Sequence, residues 1–183
     1  EDVFGHRTHF LYACRHGEVV AVLPLAEVQS RLFGHSLTSL PFCVYGGVVG
    51  EVAAVPLLEA EAERIALARG VQHLEYRNLV ARHADWPRQE LYVTFRKALD
   101  PDVEANLAAV PRKQRAMVRK GIKNGLVSHI DPDVERFFGL YADNVRRHGT
   151  PALPKRFFVS LQERFGEQCE VLTVTSPEGK IGR

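Results

Sequence analysis

The chain has 183 residues, 45% apolar and 25% charged, with a formal net charge of +2. That is ordinary globular composition; it excludes a disordered or collagenous chain and a whole-molecule field that would seek polyanions, so any phosphate or nucleic-acid role must be local. Three cysteines, Cys14, Cys43 and Cys169, form no C-x-x-C pair, which excludes a disulfide framework, fits a reducing compartment and leads us to expect a cytoplasmic location.

In chain order, THFLYAC (8–14) and EVVAVLPL (18–25) flank RHGE and predict a hairpin around a Gly-containing turn. SLTSLPF (36–42) and VYGGVV (44–49) predict further strands, with the Gly pair permitting a bend or a close backbone approach. LLEAEAERIALARG (57–70) carries Leu57, Leu58, Ala62, Ile65 and Ala66 at helical spacing, with Pro56 in the first turn and Gly70 as the stop. VQHLEY (71–76) reads as a strand and NLVARHADWPRQ (78–89) as a loop. LYVTFRKAL (91–99) alternates apolar and polar side chains and predicts a half-buried strand.

Asp100-Pro101 predicts a capped helix start, Pro111 divides that helix from a second over 111–124, and Gly125 ends the pair. LVSHI (126–130) is a short strand. Asp131-Pro132 repeats the cap signal before a helix over 134–148, another helix follows Pro154, and EVLTVT (170–175) leads into the turn SPEGK. No apolar run approaches the roughly 20 residues of a membrane helix, and no secretory leader is legible at the N-terminus, so no integral membrane segment is expected. The elements after Gly125 are too few to close a core, which leads us to expect a longer protein.

The segment PRKQRAMVRKGIKNG (111–125) concentrates charge. At 100° per residue, Arg112, Lys113, Arg115, Arg119, Lys120 and Lys123 fall on one broad arc; Met117, Val118, Gly121 and Ile122 fall opposite. An apolar back that packs and a cationic front that faces outward are expected. The front reads either as a solvated face or as a contact for the phosphates of RNA or of a nucleotide-linked substrate. The segment has no aromatic residue to stack bases, which argues against sequence-specific single-strand recognition.

AVPRKQRAMVRKGIKNGL (109–126) resembles the segment that joins the two halves of FemAB-type transferases, a small residue followed by K-x-R-x-x-I-x-K-A-x-K-x-G and a short strand. Lys113, Arg115, Val118, Lys120, Gly121, Lys123 and Gly125 keep that register, with Val118 for the usual isoleucine and Gly121 for the usual alanine. SLPFCVYGGVV (39–49) resembles the first half's Pro-x-x-x-x-Gly strand–loop. FGLYADNVRRHGTPALPKRFF (138–158) resembles the second half's opening helix with its T-x-x-R-[DH]-G pattern, Asn144 standing where threonine is usual. The similarity runs from GHRTH (5–9) to GTPALPKRFF (149–158) and points to the branch associated with exosortase/PEP-CTERM exopolysaccharide systems.

The resemblance implies an α/β fold: a GNAT-like mixed sheet flanked by helices over 1–99, a helical bridge over 100–125, and the start of a second GNAT-like domain over 126–183. It implies transfer of an acyl or aminoacyl group from acyl-CoA or aminoacyl-tRNA to the amine of an envelope precursor in peptidoglycan or exopolysaccharide assembly. No tightly bound cofactor is expected, and tRNA is a candidate partner. RLFGHS (31–36) is not an acyl-CoA pyrophosphate loop, since it ends in Ser and lies in the wrong context. The second unit's donor site, and with it the reacting centre, is expected beyond Arg183. The alternatives are a non-catalytic GNAT-like module that presents its basic face to RNA or an anionic glycan, and a structural domain of a surface-polysaccharide complex.

Candidate site residues follow. Arg147 reads as a contact for an anionic acceptor group or as a helix-end cation favoured by the dipole. His148 is the candidate base, or a structural helix-end histidine. Tyr45, Gly46 and Gly47 line an acceptor groove or make a sheet bend. Cys43 has no local His or cation to activate it as a nucleophile. His6 and His9 lack further ligands, so they read as a surface pair and no metal site is expected. Asp100 and Asp131 read as caps.

Overall fold

The computed structural model describes residues 1–32, 34–90 and 92–179. The protein is a mixed α/β molecule that divides into two compact units, Glu1–Glu90 and Leu91–Arg183.

The first unit is built on a mixed sheet. Strands β1 (Arg7–Arg15), β2 (Glu18–Ser30) and β3 (Gly34–Ser39) run antiparallel in sequence order. The β1–β2 turn places His16 and Gly17 at φ 52° and 86°, a pair of positive values that matches the right-handed twist of the strands. A bulge shifts the register between Ala13 and Cys14. A two-residue strand, β4 (Val49–Gly50), pairs with Ala21 and Val22 of β2. Helix α1 (Val55–Arg69) then crosses over and returns the chain as β5 (His73–Glu75), which lies parallel beside β3. A crossover helix is what joins parallel neighbours.

Alternation along β2 sends Ala21, Leu23, Leu25 and Glu27 to one face, and α1 covers that face with Leu58, Ala62 and Ala66, joined by Ala54 just before it. Leu23, Leu25 and Leu37 are fully buried, each contributing about 2 kcal/mol relative to exposure. The opposite face carries Phe10, Tyr12 and Val22, all exposed.

Two expectations need correction here. Residues 40–48 are not a strand: Leu40 turns to φ 44° and ends β3 at Ser39, and only Val49–Gly50 returns to the sheet. The expected strand over 91–99 begins on Leu91, outside the described residues; 92–99 carries no regular structure, and Tyr92, Val93, Phe95 and Leu99 stand exposed. Alternation supplies a face but not a partner, and without a paired neighbour the segment is not a strand.

The second unit contains α2 (Val103–Ala109), α3 (Arg112–Lys123), β6 (Val127–Asp131), α4 (Glu135–Arg147), α5 (Lys155–Phe165) and β7 (Val171–Thr175). Strands β6 and β7 pair antiparallel as a two-stranded ribbon. Phe137, Tyr141 and Phe158 form an aromatic cluster with centroid separations of 5.0–5.7 Å that joins α4 to α5. Hollows of about 340 and 270 Å³ adjoin the ribbon, sharing Phe137 and Leu172.

Both aspartate caps differ from expectation. Asp102, not Asp100, caps α2 by accepting from the Glu104 amide; Asp100, two residues earlier, instead accepts from the Asp102 amide. Asp131 is a buried residue at the end of β6 and accepts from the Thr173 hydroxyl at 2.6 Å, while Asp133 accepts from the first amide of α4. The turn SPEGK ends on Lys180, outside the described residues. Among the described residues, no helix is long and apolar enough to cross a membrane.

Candidate functional site

The parallel pair β3–β5 is the feature from which a site can be built. Its ladder runs from Ser36/His73 to Thr38/Glu75 and then stops. Beyond that point backbone pairing ends and side chains stitch the two chains together. The Ser39 hydroxyl accepts from the Arg77 amide at 2.8 Å. The Arg77 guanidinium donates through Nη1 to the carbonyls of Pro41 (2.6 Å) and Cys43 (2.9 Å), and through Nε to Glu75 (2.7 Å). One planar cation thus fixes the entry of the 40–48 loop, a geometry an ammonium could not copy.

Tyr45, Gly46 and Gly47 lie in this loop. The Gly46 amide donates to the Arg77 carbonyl at 2.9 Å. A Cβ on Gly46 would stand 2.7 Å from both the Ser39 carbonyl oxygen and Leu40 Cβ, and one on Gly47 would overlap the Asn78 side-chain oxygen. The two glycines therefore let the loop lie against the strand ends. Tyr45 is half-buried beside them.

A second cluster begins one residue earlier, at Tyr76. The Tyr76, His83 and Trp86 rings are mutually stacked, with His83 and Trp86 4.4 Å apart. Below them lies Glu59 of α1, whose side chain is 10% exposed. Its Oε2 is 3.3 Å from His83 Nε2. The contact lacks hydrogen-bond geometry, and Glu59 Oε1 and His83 Nε2 are both buried without a hydrogen-bond partner. Burial pushes the Tyr76 phenol well above its usual value, and the Glu59 and Glu63 charges add to this. Tyr76 thus keeps its proton, and its hydroxyl lies 3.4 Å from the Glu59 carbonyl. A buried carboxylate and an imidazole in contact, each with an unused hydrogen-bonding atom, supply the groups of an acid–base pair.

At the other end of α1, Glu27 is a buried hub. It accepts from Arg69 through both oxygens (3.0 and 3.1 Å) and contacts His9 (3.1 Å) and His35 (2.9 Å) through their Nε2 atoms. The Arg69 hydrogen bonds, reinforced by those of the two histidines, outweigh burial and hold its carboxyl at about 2. His9, read from the sequence as one of a surface pair, belongs to this hub instead, with a side chain 18% exposed. His6 stacks with Phe4 and Phe42.

In the second unit, Arg147 and His148 close α4. The Arg147 guanidinium is 2.8 Å from Asp143, which also takes Arg146. His148 is exposed, and its amide donates to the Asn144 carbonyl. On α3, Arg112, Lys113, Arg119, Lys120 and Lys123 are exposed and form no ion pair among the described residues; Arg115 reaches back to the Val110 carbonyl at 3.3 Å. The apolar back does not pack as expected: Met117, Val118 and Ile122 are 62%, 45% and 69% exposed. Met117, Val118 and Ile122 thus face outward on one side of the helix, as the five exposed cations do on the other.

Tyr45, Gly46 and Gly47 come together with Arg77 in the first unit, while Arg147, His148 and the α3 cations lie on two helices of the second. Sequence reasoning missed Glu59, Tyr76, Arg77, His83 and Trp86. One signal was available: Glu59 sits within the Leu58, Ala62, Ala66 stripe, and a carboxylate in a buried register calls for a partner. The three cysteines are free, and among the described residues no group of three or more His, Cys, Asp and Glu side chains is placed to hold a metal ion. No family model matches the chain, and no curated protein matches it significantly.

Proposed function

We propose that the chain serves FemAB-like N-acyl or aminoacyl transfer, moving an activated acyl group from acyl-CoA or aminoacyl-tRNA to the amine of an envelope or exopolysaccharide precursor. The observation that carries this reading is the end of the parallel β3–β5 ladder at Thr38/Glu75, after an antiparallel run and a crossover helix, with Arg77 and the 40–48 loop at its carboxyl end. Open α/β sheets receive ligands at the carboxyl ends of neighbouring strands. An amine held there attacks the acyl carbonyl carbon, hydrogen-bond donors stabilise the oxyanion, and the thiolate or ribose oxygen leaves. This reading moves the reacting centre, expected from the resemblance beyond Arg183, onto the first unit, where the proton lost by the amine passes to the His83–Glu59 pair and on to the leaving group. The test is transfer of a labelled acyl group, from each donor class in turn, to an amine acceptor. Turnover that falls at least tenfold in His83→Ala is the expected result; no turnover with either donor would remove the proposal.

A second reading, a non-catalytic module with a GNAT-like fold that binds RNA or an anionic glycan, is favoured by the unpaired cations of α3. It predicts tight, salt-sensitive tRNA binding without turnover, and a salt slope that falls by about 1 for each cation reversed.

A further inference from the structure

We propose that α3 is an in-plane interfacial helix that seats the protein on an anionic lipid surface. This is independent of the transferase reading. The helix has 12 residues and so spans about 18 Å. With Arg112 at 0°, Met117, Gly121, Val118 and Ile122 occupy the arc from about 140° to 280°, with Gln114 of the first turn among them at about 200°, flanked by Lys113 and Lys120 on one margin and Arg115 on the other. Arg112, Arg119 and Lys123 complete the polar side. Both sides face solvent. Leu126 lies against Gly121, where an added Cβ would meet its Cδ1 at 3.3 Å, and is itself 47% exposed, so it lengthens the apolar stripe.

Charge complementarity chooses the occupant. No Asp or Glu occurs between Glu104 and Asp131, and the α3 cations have no carboxylate partners among the described residues. An RNA would engage the cations and leave Met117 and Ile122 in water, and α3 offers no ring for base stacking. A protein groove would take the apolar stripe, yet it would have to supply acidic groups along both margins at once. An anionic bilayer satisfies both sides: the apolar stripe enters the acyl boundary, the marginal Lys and Arg side chains extend to the headgroups, and the remaining cations add attraction to the surface.

The test is sedimentation of the full chain with vesicles of phosphatidylcholine alone and of phosphatidylcholine with about 30% phosphatidylglycerol. Binding to the anionic vesicles only, weakened severalfold between about 0.1 and 0.5 M salt, is expected. Met117→Asp/Ile122→Asp and Arg119→Glu/Lys123→Glu should each reduce it at least tenfold, with unchanged far-ultraviolet circular dichroism. Met117→Trp, which adds interfacial aromatic surface, should strengthen binding about threefold and does not depend on tolerance of a charge in the apolar stripe. Three results overturn the proposal: no binding to anionic vesicles; binding unaffected by Met117→Asp/Ile122→Asp, which reduces α3 to a phosphate contact that RNA shares; or a wild-type dimer that this pair dissociates, which assigns the stripe to a second copy.

Discussion

Glu27 and Arg77 each gather several partners in the first unit, one as acceptor and one as donor. Glu27 is saturated: Arg69 takes both oxygens and each oxygen also meets a histidine. Its folded-state pKa, about 2, lies below its ordinary 4.5. A carboxyl so depressed contributes stability that is fully present above about 4.5 and is lost as pH falls toward about 2. Denaturant titrations across that window should show the wild type losing stability that Glu27→Gln does not lose, because the amide has no proton to gain there. At neutral pH, Glu27→Ala should cost about 1–3 kcal/mol, since Arg69 and two imidazoles lose their acceptor. Arg77 fixes a loop rather than a charge. Arg77→Ala should release 40–48, seen as faster amide exchange there, and Arg77→Lys should not restore it, because one ammonium cannot span two carbonyls and Glu75. Gly46→Ala should destabilise by about 1–3 kcal/mol, because the new methyl meets backbone, not a movable side-chain tip.

Elements that depend on local chemistry were legible in the sequence, and those that depend on a partner were not. The β1–β2 hairpin, α1 with its stop at Gly70, and α5 after Pro154 all form where periodicity and punctuation put them. The alternating residues of 92–99 do not form a strand, and the amphipathic α3 does not bury its stripe, because each pattern requires a neighbouring surface that no local signal specifies. The aspartate caps show a finer limit. Asp100, Asp102, Asp131 and Asp133 all stand near helix starts, and only the last turn of loop geometry chooses among them. The candidate site followed the same division. Gly46 and Gly47 were visible as a close-approach pair, whereas Arg77 and His83 gained meaning only when the crossover brought them to the end of β3 and to Glu59. The hairpin offers a direct check at this scale. Gly17 holds φ 86° at the second turn position, so Gly17→Ala should lower the stability of the first unit by about 1 kcal/mol or more, read as a shift in denaturation midpoint at unchanged m.

Across the whole molecule, burial is uneven. Leu23, Leu25, Leu37, Leu58, Ala62 and their neighbours make a closed cluster in the first unit, whereas Val134 is the sole buried apolar residue among those described in the second. Helices α2, α3, α4 and α5 contain no buried residue. Opening free energies follow buried contact, so amides of β2 and β3 should exchange last and those of α2 and α3 first. Leu25→Ala, at a fully buried site, should cost about 2–5 kcal/mol and accelerate exchange throughout the first sheet. If α3 amides proved as slow as those of β2, the exposure of Met117 and Ile122 could not describe the protein in water, and the case for an open interfacial helix would fall with it. A rapid exchange of α3 in buffer that slows on anionic vesicles, with β2 unchanged, is the expected pair of results. It connects the weak packing of this helix to its use: a segment that no core holds is stabilised by the surface it meets.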